Sequence, residues 1–292
     1  MYINYIYGVK IMTEQAQGNP LSKYFRQPIL YINLPSKGKW YPNNTLDMPV
    51  TGSIPVYAMT AKDEITFKTP DALLNGQSSV TVIESCCPSI KNAWKLPIVD
   101  LDAILIAMRI ATYGKQMDFT TVCPHCKTKN EHAIDLTVLM SNIKLADWES
   151  PTNIGELQIY LKPQTYEEFN KNSMMNYEEQ RIIQLVSDEN MDENEKAVRF
   201  NELFNNLVNT GIAQVAKSIA YVQLNDGTQV TNPEHITEFL TNCDKSVWEA
   251  LQSRIQSMKE EAQLKVTTTC ENPECQESYE TPFVFEQSSF FE

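Results

Sequence analysis

Residues 120–136 read TTVCPHCKTKNEHAIDL. Cys123 and Cys126 stand two residues apart at a bend, and alternating side chains flank them, so the stretch reads as a hairpin carrying half of a metal site. The partner half lies near the other end of the chain, in KVTTTCENPECQESYETPFVF from Lys265, where Cys270 and Cys275 are separated by four residues. Both segments run through a Thr-rich strand, a cysteine turn, a polar return and a second strand. This weak internal repeat has a physical reason: two hairpins, each offering a pair of thiolates from a tight turn, can meet at the four corners of one tetrahedral Zn²⁺. Four thiolates close the coordination sphere and leave no position for water, so the expected role is structural rather than catalytic. His125, inside the first turn, is expected to face solvent. His132 is the better substitute ligand.

Working outward from this pair gives the domain plan. The predicted fold is α+β, with a small N-terminal β/α body and a zinc-ribbon-like pair of β-hairpins interrupted by a mostly helical insertion. Residues 1–27 read as a flexible arm, 28–114 as the body, 115–140 with 262–292 as the split ribbon, and 141–261 as the insertion. Loop closure cost rises only logarithmically with length, so so long an interruption is tolerable if the insert folds on its own. Within the body, Ile29–Leu34 and Ser53–Met59 read as strands, and Gln77–Cys86 fits a short helix or a strand equally well. After Pro97, the run IVDLDAILIAMRIATYG reads as a buried central helix with Gly114 as its C-cap. Leu157, Ile159 and Leu161 alternate as a strand. Tyr166 to about Tyr221 has helical spacing, with apolar groups at Ile182–Val186 and Val198–Val208 divided by the polar run SDENMDENE. Asn225-Asp226-Gly227 marks a hairpin turn, and Asn232-Pro233 starts the last helical stretch.

Composition narrows the function classes. No run approaches the ~18–20 continuous apolar residues of a membrane span. MYINYIYGVKIM lacks a basic n-region and a cleavage site, so it is not read as a signal peptide; residues 1–11 read as an upstream start before Met12 or as a flexible arm. The expectation is a soluble intracellular protein. The net charge of −13 argues against nucleic acid. It is unevenly spread: residues 1–60 hold five basic side chains against Glu14 and Asp47. The C-terminal hairpin carries one lysine against five glutamates, a surface that repels phosphate. The competing reading is a zinc-ribbon nucleic-acid or transcription-associated module; a metalloenzyme would need an open metal position. No catalytic motif or phosphate loop is present. The seven cysteines are an odd number, and Cys86, Cys87 and Cys243 read as small core residues.

LPSKGKWYP (Leu34–Pro42), an apolar strand, and MTAKDEITFKTPDALLNG (Met59–Gly76) precede a cysteine-bearing segment. With Thr60, Asp63, Glu64, Pro70, Leu73, Leu74, Asn75 and Gly76 at the matching places, this resembles the baseplate hub assembly protein family of T-even-type contractile-tailed bacteriophages. The match covers about residues 28–140 and the C-terminal cysteine hairpin, but not the insertion. The resemblance implies a late, non-enzymatic protein of tail assembly that binds other baseplate and hub proteins in the host cytoplasm. It leaves open residence in the virion and oligomeric state. Lys37, Lys39, Trp40 and Tyr41 form a basic turn with two large aromatics, which either anchors a partner or packs on the protein's own sheet. Asp63-Glu64 either caps the following helix or meets a basic partner. Phe290 and Phe291 are either tucked against the ribbon or offered to a neighbour.

Overall fold

The computed structural model describes residues 5–6, 9–10, 19–68, 76–186, 198, 200–201, 210–283 and 290. Pro70, Leu73, Leu74 and Asn75 of the motif, the SDENMDENE run, Leu203–Val208 and Phe291 lie outside them.

The body begins with an antiparallel pair, β1 (Pro28–Ile32) and β2 (Ile54–Tyr57), in which Ile32 faces Ile54 and Leu30 faces Val56. Two short helices follow, α1 (Ala61–Phe67) and α2 (Gln77–Cys86), so the ambiguous segment is helical. Thr60 and Asp63 form a capping box at the start of α1: the Thr60 N–H donates to Asp63 Oδ2 at 2.8 Å and the Asp63 N–H to Thr60 Oγ1 at 3.2 Å. Capping is therefore the use Asp63 has here. Asp63 also pairs with Arg26 at 3.4 Å, which ties the N-terminal arm to the body.

Helix α3 (Ile98–Tyr113) is apolar nearly all round and fills the centre; Ile104, Ile106, Ala107 and Met108 have no exposure, and Gly114, at φ +91°, ends it. The next chain segment is the first cysteine hairpin, β3 (Gln116–Val122) with β4 (Lys129–Asp135). The second is β9 (Lys265–Thr269) with β10 (Ser278–Pro282). Phe119, Ile134 and Val266 pack one face of the two hairpins onto the body core, where the Phe283 ring lies tilted against Phe119 at 5.2 Å and Phe290 is buried.

Between the hairpins lies a second core. A short helix α4 (Leu136–Ser141) leads to an antiparallel sheet of four strands in the order β8-β7-β6-β5, formed by β5 (Thr152–Ile154), β6 (Leu157–Leu161), β7 (Ile219–Gln223) and β8 (Gln229–Val230). Helix α5 (Tyr166–Val186) leaves the sheet and a helical stretch over 210–218 returns to it. The helical spacing read as far as Tyr221 thus ends at residue 218: Ile219 and Val222 both enter the second core, with a register shift between them, and Val222 pairs with Ile159. Helices α6 (Pro233–Asn242) and α7 (Lys245–Ala262) cover the sheet, with Leu251 and Met258 buried against it. The segment expected to be mostly helical therefore has a sheet at its centre. None of the described helices is long and apolar enough to cross a membrane.

Candidate metal centre and the basic turn

The two hairpins bring Cys123, Cys126, Cys270 and Cys275 together, all four Sγ atoms within 4.8 Å of one another. Cys123 Sγ is 3.9 Å from Cys275 Sγ, and Cys126 Sγ is 3.5 Å from Cys270 Sγ. A disulfide needs about 2.05 Å. A tetrahedron of Zn–S bonds of ~2.3 Å has an edge of about 3.8 Å, and the observed pairs straddle it. The donor set and its spacing therefore fit a zinc-type tetrathiolate.

The turns that hold these sulfurs are related. The Lys127 N–H donates to the Cys123 carbonyl at 3.0 Å, and the Gln276 N–H to the Asn272 carbonyl at 3.1 Å. Lys127 and Gln276 both take positive φ, 63° and 49°, immediately after the second cysteine. Backbone geometry thus superposes Cys123-Pro-His-Cys126-Lys on Asn272-Pro-Glu-Cys275-Gln. Asn272 occupies the place of the first cysteine, and Cys270, two residues earlier, supplies the sulfur instead. That is why the second pair has the wider spacing.

Beneath the sulfurs a buried polar cluster joins the hairpins. Asn130, with no exposure, donates from Nδ2 to the Tyr279 hydroxyl at 3.1 Å and to the Thr128 carbonyl at 3.0 Å. Its Oδ1 accepts the Glu271 N–H at 2.8 Å. Thr121 Oγ1 lies 2.6 Å from the Tyr279 hydroxyl. Sequence reading missed this cluster; its one signal was the period-two alternation that sets Asn130 on the inward face of β4 with His132 and Ile134.

Thr128, touching Cys126 through its hydroxyl and backbone, brings that thiol down to about 6. At Cys275 the Glu277 backbone lowers the value, but desolvation and the three neighbouring sulfurs outweigh it and push the thiol up to about 12. Desolvation also raises Cys270. Four crowded sulfurs cannot all ionise unaided, and a divalent cation supplies the charge that lets them. His125 is exposed, as expected; His132 stands outside the cluster with Nδ1 3.5 Å from Glu271. Cys86 and Cys87 are fully buried, and burial pushes the Cys86 thiol up to about 11. Cys243 is half-buried, with its thiol 3.4 Å from the Leu240 carbonyl.

The basic turn is a second organised site. Asp100 on α3, fully buried, accepts the Ser36 N–H at 2.7 Å, the Ser36 hydroxyl at 2.5 Å and the Tyr41 hydroxyl at 3.0 Å. Burial raises the Asp100 carboxyl, against the lowering effect of these donors. Between the two anchors, Lys37, Gly38 and Trp40 all take positive φ, at 53°, 81° and 65°. Tyr41 is thus engaged internally, and Trp40 packs edge-on against Trp148 at 6.2 Å. Lys39 pairs with Glu149, and Lys37 projects into solvent.

Comparison with known proteins adds one finding: the family model described as "T4 bacteriophage base plate protein" matches residues 32–292. No curated protein and no solved structure matches the chain.

Proposed function

The chain belongs to the T4 bacteriophage base plate protein family, and from that premise we propose that it is a structural or assembly component of the baseplate hub, built around a structural zinc. Membership of the family makes it a structural protein of the phage baseplate and implies contact with other tail proteins. The hub assignment draws on the SKGKWYP and Thr60–Gly76 motifs. The zinc assignment is carried by one observation, four sulfurs at tetrahedral spacing.

Cys123, Cys126, Cys270 and Cys275 would hold the ion, which supplies charge neutralisation and a cross-link between the hairpins. The rest is done by the chain. The Asn130–Tyr279–Thr121 cluster sets the hairpins in register. Residues 141–261 are thereby clipped at both ends, and Asp100 holds the basic turn in one shape. Lys37 with Trp40 and Tyr41 at its base, and Lys39 beside Glu149, form the surface assigned to a hub partner, whose acidic groups would meet the lysines.

The test is a metal assay combined with a tagged pull-down during infection. Purified protein should hold close to one zinc per chain, Cys123→Ser should lose it, and the wild type should co-purify with hub or spike proteins. Unchanged metal content in Cys123→Ser would sink the zinc site. Recovery of polymerase, ribosomes or nucleic acid in place of tail proteins would sink the hub assignment.

A further inference from the structure

A cleft of about 530 Å³ opens between the two cores. One wall is α3, through Ile98, Val99 and Asp102; the other is α7, through Ile255, Met258 and Lys259. Ile98 packs against the body core, and Met258 belongs to the second core, so the cleft lies on the seam between them. Its volume suits a drug-sized molecule or a few residues of peptide.

Several charged groups facing this space lack partners among the described residues, whereas the neighbouring Gln164 and Ser218 are hydrogen-bonded to each other. Lys144, Lys162 and Lys259 line it, and none makes an ion pair or side-chain hydrogen bond among the described residues. The same is true of Asp102. Glu260, the other acid of the lining, is tied to Gln256 at 2.7 Å. Trp148 contributes an apolar ring.

We propose that this cleft binds an acidic polypeptide segment carrying apolar side chains, supplied by a neighbouring protein. The three ammonium groups are donors able to meet carboxylates and carbonyls, while Asp102 is an acceptor able to meet an N–H. A peptide offers both along one strand; a simple anion satisfies the lysines and leaves Asp102 opposed. A nucleic acid fares worse, because Asp102 and Glu260 face it and the chain carries −13 overall. Apolar side chains of the segment would lie on Trp148, Ile255 and Met258. Trp148 also touches Trp40, so the cleft and the basic turn form one continuous surface. The proposal stands on the cleft alone and does not depend on the hub assignment.

The test uses the full chain and capped tetrapeptides, Glu-Leu-Glu-Leu against Lys-Leu-Lys-Leu, titrated calorimetrically at low salt. The acidic peptide should bind about tenfold or more tightly than its charge-reversed counterpart, the size expected for a close charge pair. Lys162→Glu should remove that preference. Lys259→Glu, at an exposed position on α7, should do the same without disturbing the fold, as circular dichroism would verify. Equal affinity for the two peptides, or unchanged binding in both variants, overturns the proposal. So does full displacement by inorganic phosphate at matched concentration, which marks a plain anion site.

Discussion

The body core gathers Ile54, Ile83, Leu96, Ile104 and Ile106 with no exposure, whereas the interior shared by the paired cysteine turns consists of Cys123, Cys270 and Tyr279, edged by Cys126 and Cys275. The first region is stabilised by apolar area removed from water, at roughly 25 cal/mol per Å². The second has almost no such area, and units that small rely on staples such as metals or disulfides. Each region also holds a buried polar cluster: Asp100 with Ser36 and Tyr41 in the body, Asn130 with Tyr279 and Thr121 in the turns. The same protein thus contains a part that apolar packing explains and a part that it does not.

Substitutions can break that contrast. The largest effect is expected for Ile104→Ala, which should cost about 2–5 kcal/mol in denaturant unfolding while leaving zinc content untouched. Simultaneous loss of metal would mean the two regions are not separable. Next comes Asp100→Ala, which strands the buried Ser36 N–H and should cost about 1–3 kcal/mol. Its local signature is faster tryptic cleavage after Lys37 and Lys39; unchanged cleavage would show that the turn holds its shape without the carboxylate. The smallest is Tyr279→Phe, about 1 kcal/mol, which should leave metal stoichiometry intact but speed removal by a chelator. Wild-type chelation kinetics in this variant would assign the hairpin register to the sulfurs alone.

Much of the architecture was legible because it follows from local periodicity. Val99–Ile110 reads as a buried helix from spacing alone, and the Cys-turn repeat exposes both half-sites although Cys123 and Cys275 are 152 residues apart. What stayed hidden depends on contacts that spacing does not encode. Gln77–Cys86 mixes β-branched and small residues, and tertiary packing decides for helix: a Cβ on Gly76 would meet Asn170 at 2.7 Å, so the chain enters α2 pressed against α5. The SKG turn looked like a surface feature, yet its Ser36 is anchored by Asp100, 64 residues on, inside a run that periodicity marks as apolar. The strand at Leu157–Leu161 and the hairpin around Asn225-Asp226-Gly227 are legible, but not that they share one sheet, because the pairing of Ile159 with Val222 joins distant segments and helical spacing runs directly into Ile219.

The split of the cysteine turns has a consequence for how the protein is made. Cys126 and Cys270 are 144 residues apart. At about 5–20 residues per second, a ribosome takes roughly 7–30 s to pass from one to the other. If the four cysteines hold zinc as proposed, the first turn exists for that interval as a bidentate half-site, with neither of the thiols that complete it. On a polysome, neighbouring nascent chains carry the same half-site at staggered stages of synthesis, and two such halves have the ligand count of one full site. Correct assembly is therefore a race between intramolecular closure, delayed by translation, and pairing in trans, and it should grow more error-prone as free metal and expression level rise.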